Sequence, residues 1–178
     1  MPTATRPPKS DRDGPAAHPA PALAAHLVRR MPWSPEQTAH PEPLLSREWL
    51  VTNALGGYAS GTVAGVPTRR YHGLLIAALP APLGRCVMLG QVTELVRLRN
   101  GKVIRFGGEE FAGGRLDLHG AEHLAEFRLE GGLPVWRYAA HGIVFEKRLM
   151  LTHHQNTVFV NYRLIEGDGP VRLKLRPS

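Results

Sequence analysis

The residues of this sequence best suited to chemistry lie in two neighbouring segments. Residues 68–73 place threonine, two arginines, tyrosine and histidine in succession before a glycine. Residues 53–61 are rich in glycine, begin with an asparagine and contain a tyrosine. Aromatic rings pack against the C–H face of a sugar, and planar donor groups bind its hydroxyls. We therefore predict six carbohydrate-contacting residues: Asn53, Tyr58, Arg69, Arg70, Tyr71 and His72.

An apolar run at residues 74–79 follows these side chains and predicts a buried strand that anchors them. We expect residues 53–75 to form one polar rim hinged by glycines. The glycine-rich stretch lacks the Gly-Lys-Ser/Thr ending of a phosphate loop and the spacing of a dinucleotide loop, which argues against a phosphate site there. For Arg69 and Arg70, contact with a neighbouring domain and an ion pair within the fold remain alternatives to sugar contact.

Other groups that could catalyse a reaction or bind a metal are poorly placed. Glycoside hydrolysis uses two carboxyl groups that flank the bond. Glu109 and Glu110 are adjacent between pairs of glycines, which is typical of a solvated loop. His153 and His154 would point to opposite faces of a strand. We therefore expect no catalytic residue, no metal and no cofactor in this chain.

The formal net charge of +7 raises the question of nucleic-acid binding. The arginines are scattered through strand-like segments, without a basic block and without interleaved aromatic residues on one strand face, so we do not expect a nucleic-acid partner. The sequence contains no apolar run long enough for a membrane helix and no apolar stretch typical of a secretory signal. Together with a single cysteine, this indicates a cytoplasmic protein without membrane contact.

Composition divides the chain near residue 44. Residues 1–43 hold ten of the sixteen prolines and few large apolar residues, which predicts a disordered tail. From there to residue 178, about eight or nine strand-like segments alternate with turn signals, including Asn100-Gly101, a strong hairpin signal. Among these segments are a short strand candidate at residues 48–52 and a long β-rich stretch at residues 86–98. This pattern predicts an all-β fold, an antiparallel β-sandwich. Because a strong strand pattern at residues 171–175 comes just before the last residue, we expect the domain to be incomplete at its C-terminal end.

The two segments of polar residues carry a specific resemblance. Residues 52–62 read TNALGGYASGT, and residues 68–75 read TRRYHGLL. They are similar to the segments TNGLGGYASGT and TRRYHGLL of the N-terminal domain of bacterial and archaeal glycogen debranching enzymes (amylo-α-1,6-glucosidases). A weaker similarity reaches residues 169–177, so that the resemblance covers about residues 44–178. Ala54 stands where that family has glycine, and a left-handed backbone there would cost on the order of 1 kcal/mol.

The resemblance implies a supersandwich-like antiparallel domain that guides glycogen or another branched α-glucan. It also implies a C-terminal (α/α)6 barrel, outside this chain, whose acidic residues hydrolyse the α-1,6 branch points. The chain by itself is then expected to be inactive. Two alternatives remain open: a stand-alone glucan-binding module without catalysis, and a basic β-domain that binds nucleic acid.

Overall fold

Thirteen β-strands form within the residues that the computed structural model describes, which are 28–34, 40–113 and 115–178. The only helical elements in those residues are helix α1 (Glu42–Ser46) and one 3-10 turn (Ala121–His123), and neither is long enough to cross a membrane. The strands are β1 (Val28–Pro32), β2 (Glu48–Thr52), β3 (Tyr58–Thr62), β4 (Gly73–Ala78), β5 (Arg85–Leu89), β6 (Val92–Arg97), β7 (Val103–Glu110), β8 (Leu116–His119), β9 (Leu124–Glu130), β10 (Leu133–Ala140), β11 (Ile143–Leu151), β12 (Val158–Glu166) and β13 (Arg172–Pro177).

The strands pair antiparallel in three sheets. The largest sheet has the order β1-β9-β10-β11-β12, and most of it is a meander of consecutive strands. The other two sheets have four strands each, in the orders β2-β3-β4-β5 and β13-β6-β7-β8. The prediction of an all-β antiparallel fold is confirmed.

Aromatic side chains show how the sheets face one another. Trp49 of β2 meets Trp136 of β10 edge to face, with ring centroids 5.4 Å apart. Phe106 of β7 lies 4.5 Å from Tyr138 of β10 and 4.9 Å from Phe145 of β11. The five-stranded sheet therefore forms one layer of a sandwich, and the two four-stranded sheets together form the layer that packs against it.

A charged cluster also joins the two layers inside the core. Glu94 of β6 is 2% exposed, and its carboxylate lies 2.5 Å from the ammonium of Lys147 on β11. The hydroxyl of Tyr162 on β12 donates a hydrogen bond to the same carboxylate. Burial, and then the negative charge of Glu94, raise the pKa of Tyr162 far above its usual value, so the phenol stays protonated and can donate.

Most strands lie where the sequence predicts them, and the β6–β7 hairpin turns at Asn100-Gly101 as expected. The continuous β-rich stretch at residues 86–98 is two strands, because the chain crosses between sheets at Gly90 and Gln91. Three strands, β1, β3 and β8, had no counterpart in the prediction. The count of eight or nine strands was therefore too low.

The segment predicted to be a disordered tail is partly ordered. Val28–Pro32 forms β1, which pairs with β9, and the adjacent Trp33 is buried in the core. Helix α1 begins at Glu42 and buries Leu44. Strand pairing and two large apolar side chains offset the ordering entropy that the proline content predicts. The rest of the predicted tail, residues 1–27 and 35–39, lies outside the described residues.

Candidate functional site

The six residues predicted to contact sugar lie on or next to three adjacent strands, β2, β3 and β4, but not at one place. Strand β3 pairs with both β2 and β4. Tyr58 pairs with Thr52 at one end of the β2–β3 ladder, and Glu48 pairs with Thr62 at the other end. At about 3.3 Å per residue, the two ends are ~13 Å apart. Asn53 and Tyr58 lie at the first end, and the segment that carries Arg69 to His72 lies at the second.

Residues 53–57, called the β2–β3 loop below, are organised by the side chain of Asn53. Its carbonyl oxygen accepts hydrogen bonds from the backbone N–H groups of Leu55 and Gly57, both at 3.0 Å. The backbone N–H of Asn53 donates to the carbonyl of Gly57 and closes the turn. The Asn53 side chain is fully buried. The side-chain oxygen of Asn53 therefore stabilises the conformation of the loop.

The amide nitrogen of Asn53 fixes the β2–β3 loop to the other layer. It donates to the backbone carbonyl of Gln155 at 2.9 Å and to the side-chain oxygen of Asn156 at 3.0 Å. Asn156 in turn donates to the carbonyl of Ala78 at the end of β4. The N–H of His154 donates to the carbonyl of Asn53. One buried asparagine thus joins the turns at the ends of β2, β4 and β11.

Two small residues make the β2–β3 loop fit this space. Ala54 has a φ of +64°, so the position at which the related family has glycine is indeed left-handed. Gly57 leaves no room for a side chain, because a Cβ there would lie 2.7 Å from the Asn53 amide nitrogen and 3.0 Å from the Ile76 carbonyl oxygen. The glycine-rich sequence therefore serves a close approach of backbone to a buried amide.

Tyr58, the second predicted residue at this end, is half-buried at the start of β3. The guanidinium of Arg85 lies 6.0 Å from its ring centroid and donates to the carbonyl of Gly56 at 2.9 Å. One face of the ring is therefore covered by a cation rather than left free.

Residues 68–72, called the RRYH turn below, lie at the opposite end of the strands. The N–H of His72 donates to the carbonyl of Arg69, and the N–H of Thr68 donates to Nδ1 of His72 at 3.1 Å. Arg69 Nε donates to the carboxylate of Glu48 at 2.5 Å. The turn is thus fixed from inside by a histidine and from below by a carboxylate on β2.

His72 is held as a neutral ring. Because Nδ1 accepts a hydrogen bond, the proton of the neutral imidazole is on Nε2, which lies 3.6 Å from Glu48 Oε1 and has no hydrogen-bond partner within the described residues. Burial lowers the pKa of His72, and the Glu48 carboxylate offsets this effect only in part. The side chain is 7% exposed, so its role is to support the turn.

Arg70 and Tyr71 project from the RRYH turn into solvent. Tyr71 is 66% exposed, and the guanidinium of Arg70 lies 5.9 Å from its ring centroid. An exposed aromatic ring beside a guanidinium offers a sugar one apolar face and several hydrogen-bond donors. Of the six predicted residues, these two and Arg69 are the ones whose side chains are exposed.

A polar groove of about 660 Å³ runs beside the RRYH turn. Arg69 contributes its positive charge, and three carboxylates lie in the same lining. Such a lining offers donors and acceptors for several sugar hydroxyls. We call this the Glu48 groove, and it is lined by Glu42, Leu45, Ser46, Glu48, Thr68, Arg69, Glu110 and Leu116.

Two residues of the Glu48 groove were missed as site residues by sequence reasoning. Glu48 was seen only as the first residue of a strand, and the antiparallel pairing of β2 with β3 brings it beneath the RRYH turn. Glu110 was assigned to a solvated loop, yet it ends β7 and lines the groove. Neither residue is near the turn in sequence, so local pattern gives no signal for the contact.

A comparison with protein families shows which family contains this chain. A family model described as "Glycogen debranching enzyme N terminal" matches residues 47–178. The chain belongs to this family. The matched residues of this debranching-enzyme N-terminal domain include both the β2–β3 loop and the RRYH turn. No curated protein matches the chain, and no solved structure matches it.

Proposed function

We propose that this chain is the substrate-guiding N-terminal domain of a glycogen debranching enzyme. In that enzyme, acidic residues of a separate (α/α)6 domain hydrolyse the α-1,6 branch points of glycogen and limit dextrin. The family match supports the enzyme class. The proposal also includes a cytoplasmic location, where glycogen is stored and degraded.

The observation that carries the proposal is the exposed Arg70–Tyr71 pair beside the Glu48 groove. A glucose ring that packs on Tyr71 would have the donors of Arg70 within reach of its hydroxyls. A neighbouring glucose unit of the same chain could enter the groove, where Arg69 and the carboxylates are hydrogen-bond partners. Recognition at this end therefore combines one apolar contact with several polar contacts.

The two predicted residues at the other end take a different place in the proposal. All the polar side-chain atoms of Asn53 are bonded within the fold, so we assign it the role of holding the β2–β3 loop. Tyr58 has one ring face towards Arg85, and its remaining exposed edge is a secondary contact for glucan. His72 positions the RRYH turn from within.

Affinity electrophoresis in gels containing glycogen tests the sugar-binding part of the proposal. We expect the wild-type chain to be retarded, and Tyr71→Ala to weaken the apparent affinity about tenfold by removing the ring face. Phe159→Ala is the matched control, because Phe159 is also a largely exposed ring, 53% exposed, but lies on β12. Migration of the folded wild-type chain without retardation would count against the proposal.

Catalysis is proposed to reside outside this chain. Glu48 is engaged by Arg69, and the three groove carboxylates lie in an open groove rather than around an enclosed bond. We expect the purified chain to release no glucose from a branched limit dextrin. Release that disappears in Glu110→Gln would contradict this expectation and place the hydrolytic acid in the groove.

A stand-alone glucan-binding module is the second candidate. The three sheets enclose one continuous hydrophobic cluster, which a module that folds without a partner domain requires. The sequence of the gene distinguishes the two candidates, because only the debranching-enzyme candidate expects a coding region for a helical domain to follow. A binding measurement also distinguishes them: the stand-alone module binds glucan alone, whereas the debranching-enzyme domain binds glucan together with an (α/α)6 domain.

A further inference from the structure

A second polar surface lies on the other four-stranded sheet, on the outer face of β13, β6 and β7. Antiparallel pairing sets Arg172 directly opposite Arg97, and it sets both Lys174 and Arg105 opposite Leu95. Cross-strand partners share a face of the sheet. The strands thus bring together a surface that we call the basic face: Arg97, Arg105, Arg172, Lys174 and Arg176.

All five cations of the basic face are exposed. Within the described part of the chain, no salt bridge includes any of them. A groove of about 530 Å³ crosses the face, and the only acidic side chain in its lining is Glu109, which accepts a hydrogen bond from Gln91. Positive charge on this surface therefore greatly exceeds negative charge.

The five-stranded sheet shows that this excess is not general. There Arg128 contacts the carboxylates of Glu126, Glu130 and Glu146. On that sheet Arg30 stands directly opposite Arg128, and carboxylates neutralise both arginines. On the basic face two arginines also stand directly opposite each other, but neither of them is in a salt bridge within the described residues, and unpaired like charges in this position destabilise a sheet. An anion bound between them would remove this repulsion. The distribution of charge therefore points to an anionic ligand.

The chemistry of the face favours phosphate esters. Guanidinium groups bind phosphate with two parallel hydrogen bonds, and neighbouring strands at ~4.8 Å allow two cations to meet one phosphate. The only aromatic residue of β6, β7 and β13 is Phe106, which points into the core. Nucleic-acid bases would have no ring to stack on, so a single-stranded nucleic acid fits this face poorly.

We propose that the basic face binds phosphate monoester groups carried by a branched α-glucan. This inference rests on the proposed glucan function and names a charged subset of that substrate class. Apart from Val103 and Leu95, the face is polar, so the sugar rings would contribute little. Phosphate would then orient a polymer that the RRYH turn contacts elsewhere.

The test compares a phosphate-bearing amylopectin with a phosphatase-treated sample of the same polymer, in low-salt affinity electrophoresis of the full chain. The triple variant Arg172→Gln, Lys174→Gln, Arg176→Gln removes three exposed charges from β13. The control variant Arg29→Gln, Arg115→Gln, Arg163→Gln removes the same charge from exposed positions outside β6, β7 and β13.

We expect the wild-type chain to bind the phosphate-bearing polymer about tenfold more tightly than the treated polymer. The β13 triple variant should lose this preference, and the control variant should keep it. Glucose 6-phosphate should compete with the phosphate-bearing polymer at concentrations at which glucose does not.

Equal binding of the two polymers by the wild-type chain would overturn the inference and leave the proposed glucan function standing. Equal loss in both triple variants would overturn it as well, because net charge alone would then explain the preference. Binding of neither polymer would remove the glucan function and the inference together. Tighter retention of a single-stranded RNA than of the phosphate-bearing polymer would assign the face to nucleic acid instead.

Discussion

The β2–β3 loop and the RRYH turn come from one continuous stretch of sequence, yet they use polar side chains in opposite ways. The loop buries its asparagine completely and bonds every polar atom of that side chain within the fold. The turn buries its histidine and exposes its arginines and tyrosine beside a groove. A sequence motif that identifies a family can therefore contain a structural part and a recognition part.

The largest effect is expected for Asn53→Ala. The change leaves two backbone N–H groups without their acceptor, and it removes both side-chain bonds to the β11–β12 turn. Unsatisfied buried groups are costly, so the free energy of unfolding should fall by about 3 kcal/mol, as measured by urea unfolding. Glycogen retardation of the protein that remains folded should be unchanged.

Asn100→Ala is the matched control, since Asn100 bonds only to the Lys102 N–H in an exposed turn. Its cost should stay below about 1 kcal/mol. If Asn53→Ala kept full stability but lost glycogen retardation, the division between a structural loop and a recognition turn would be wrong.

Ala54→Gly should act in the stabilising direction. The native φ of +64° strains alanine, and glycine reaches it without a Cβ penalty, so the gain should be about 0.5–1 kcal/mol. Ala139→Gly provides the comparison, because Ala139 pairs with Val144 near the end of β10 and has no positive φ, so that this variant should lose stability. A loss at position 54 would show that the loop is held in another conformation in solution.

The smallest effect is expected from the pH dependence of the RRYH turn. The pKa of His72 is lowered by burial, so below about pH 6.5 the unfolded chain binds a proton that the folded chain does not. Stability should be complete above that pH and should decline as the pH falls below it. His72→Asn, which keeps an acceptor for Thr68, should reduce the slope of unfolding free energy against pH, whereas His40→Asn at an exposed position should not.

Much of the fold was accessible from local sequence because alternating apolar residues and turn signals act over a few positions. Strand β2 and the hairpin at Asn100-Gly101 were predicted on this basis and are confirmed. Strand β3 was read as loop because its glycine and small residues carry little β-propensity. It becomes a strand because it lies between β2 and β4, where packing overrides propensity. Strand β1 was missed because it forms by pairing with β9, which lies far away in the sequence, so local pattern gives no signal for it.

The candidate site shows the corresponding limit. The residue types at Arg69 to His72 suggested recognition, and the turn does expose Arg70 and Tyr71. The two segments do not form the single polar rim that their closeness in sequence predicts, because strand β3 carries the chain from one end of the β2–β3 ladder to the other. Glu48 contacts the RRYH turn only because of the register between β2 and β3, and local sequence patterns do not show that register.

The ion pair between Glu94 and Lys147 has a consequence for how the two layers come together. Adjacent residues of a strand point to opposite faces, so sliding either strand by one position would turn one member of the pair towards water. The other would keep its charge in the apolar interior without a counterion, at a cost of several kcal/mol. The pair and Tyr162 therefore fix how the two layers align. Apolar side chains could pack in several alignments, but only one alignment keeps these two buried charges together.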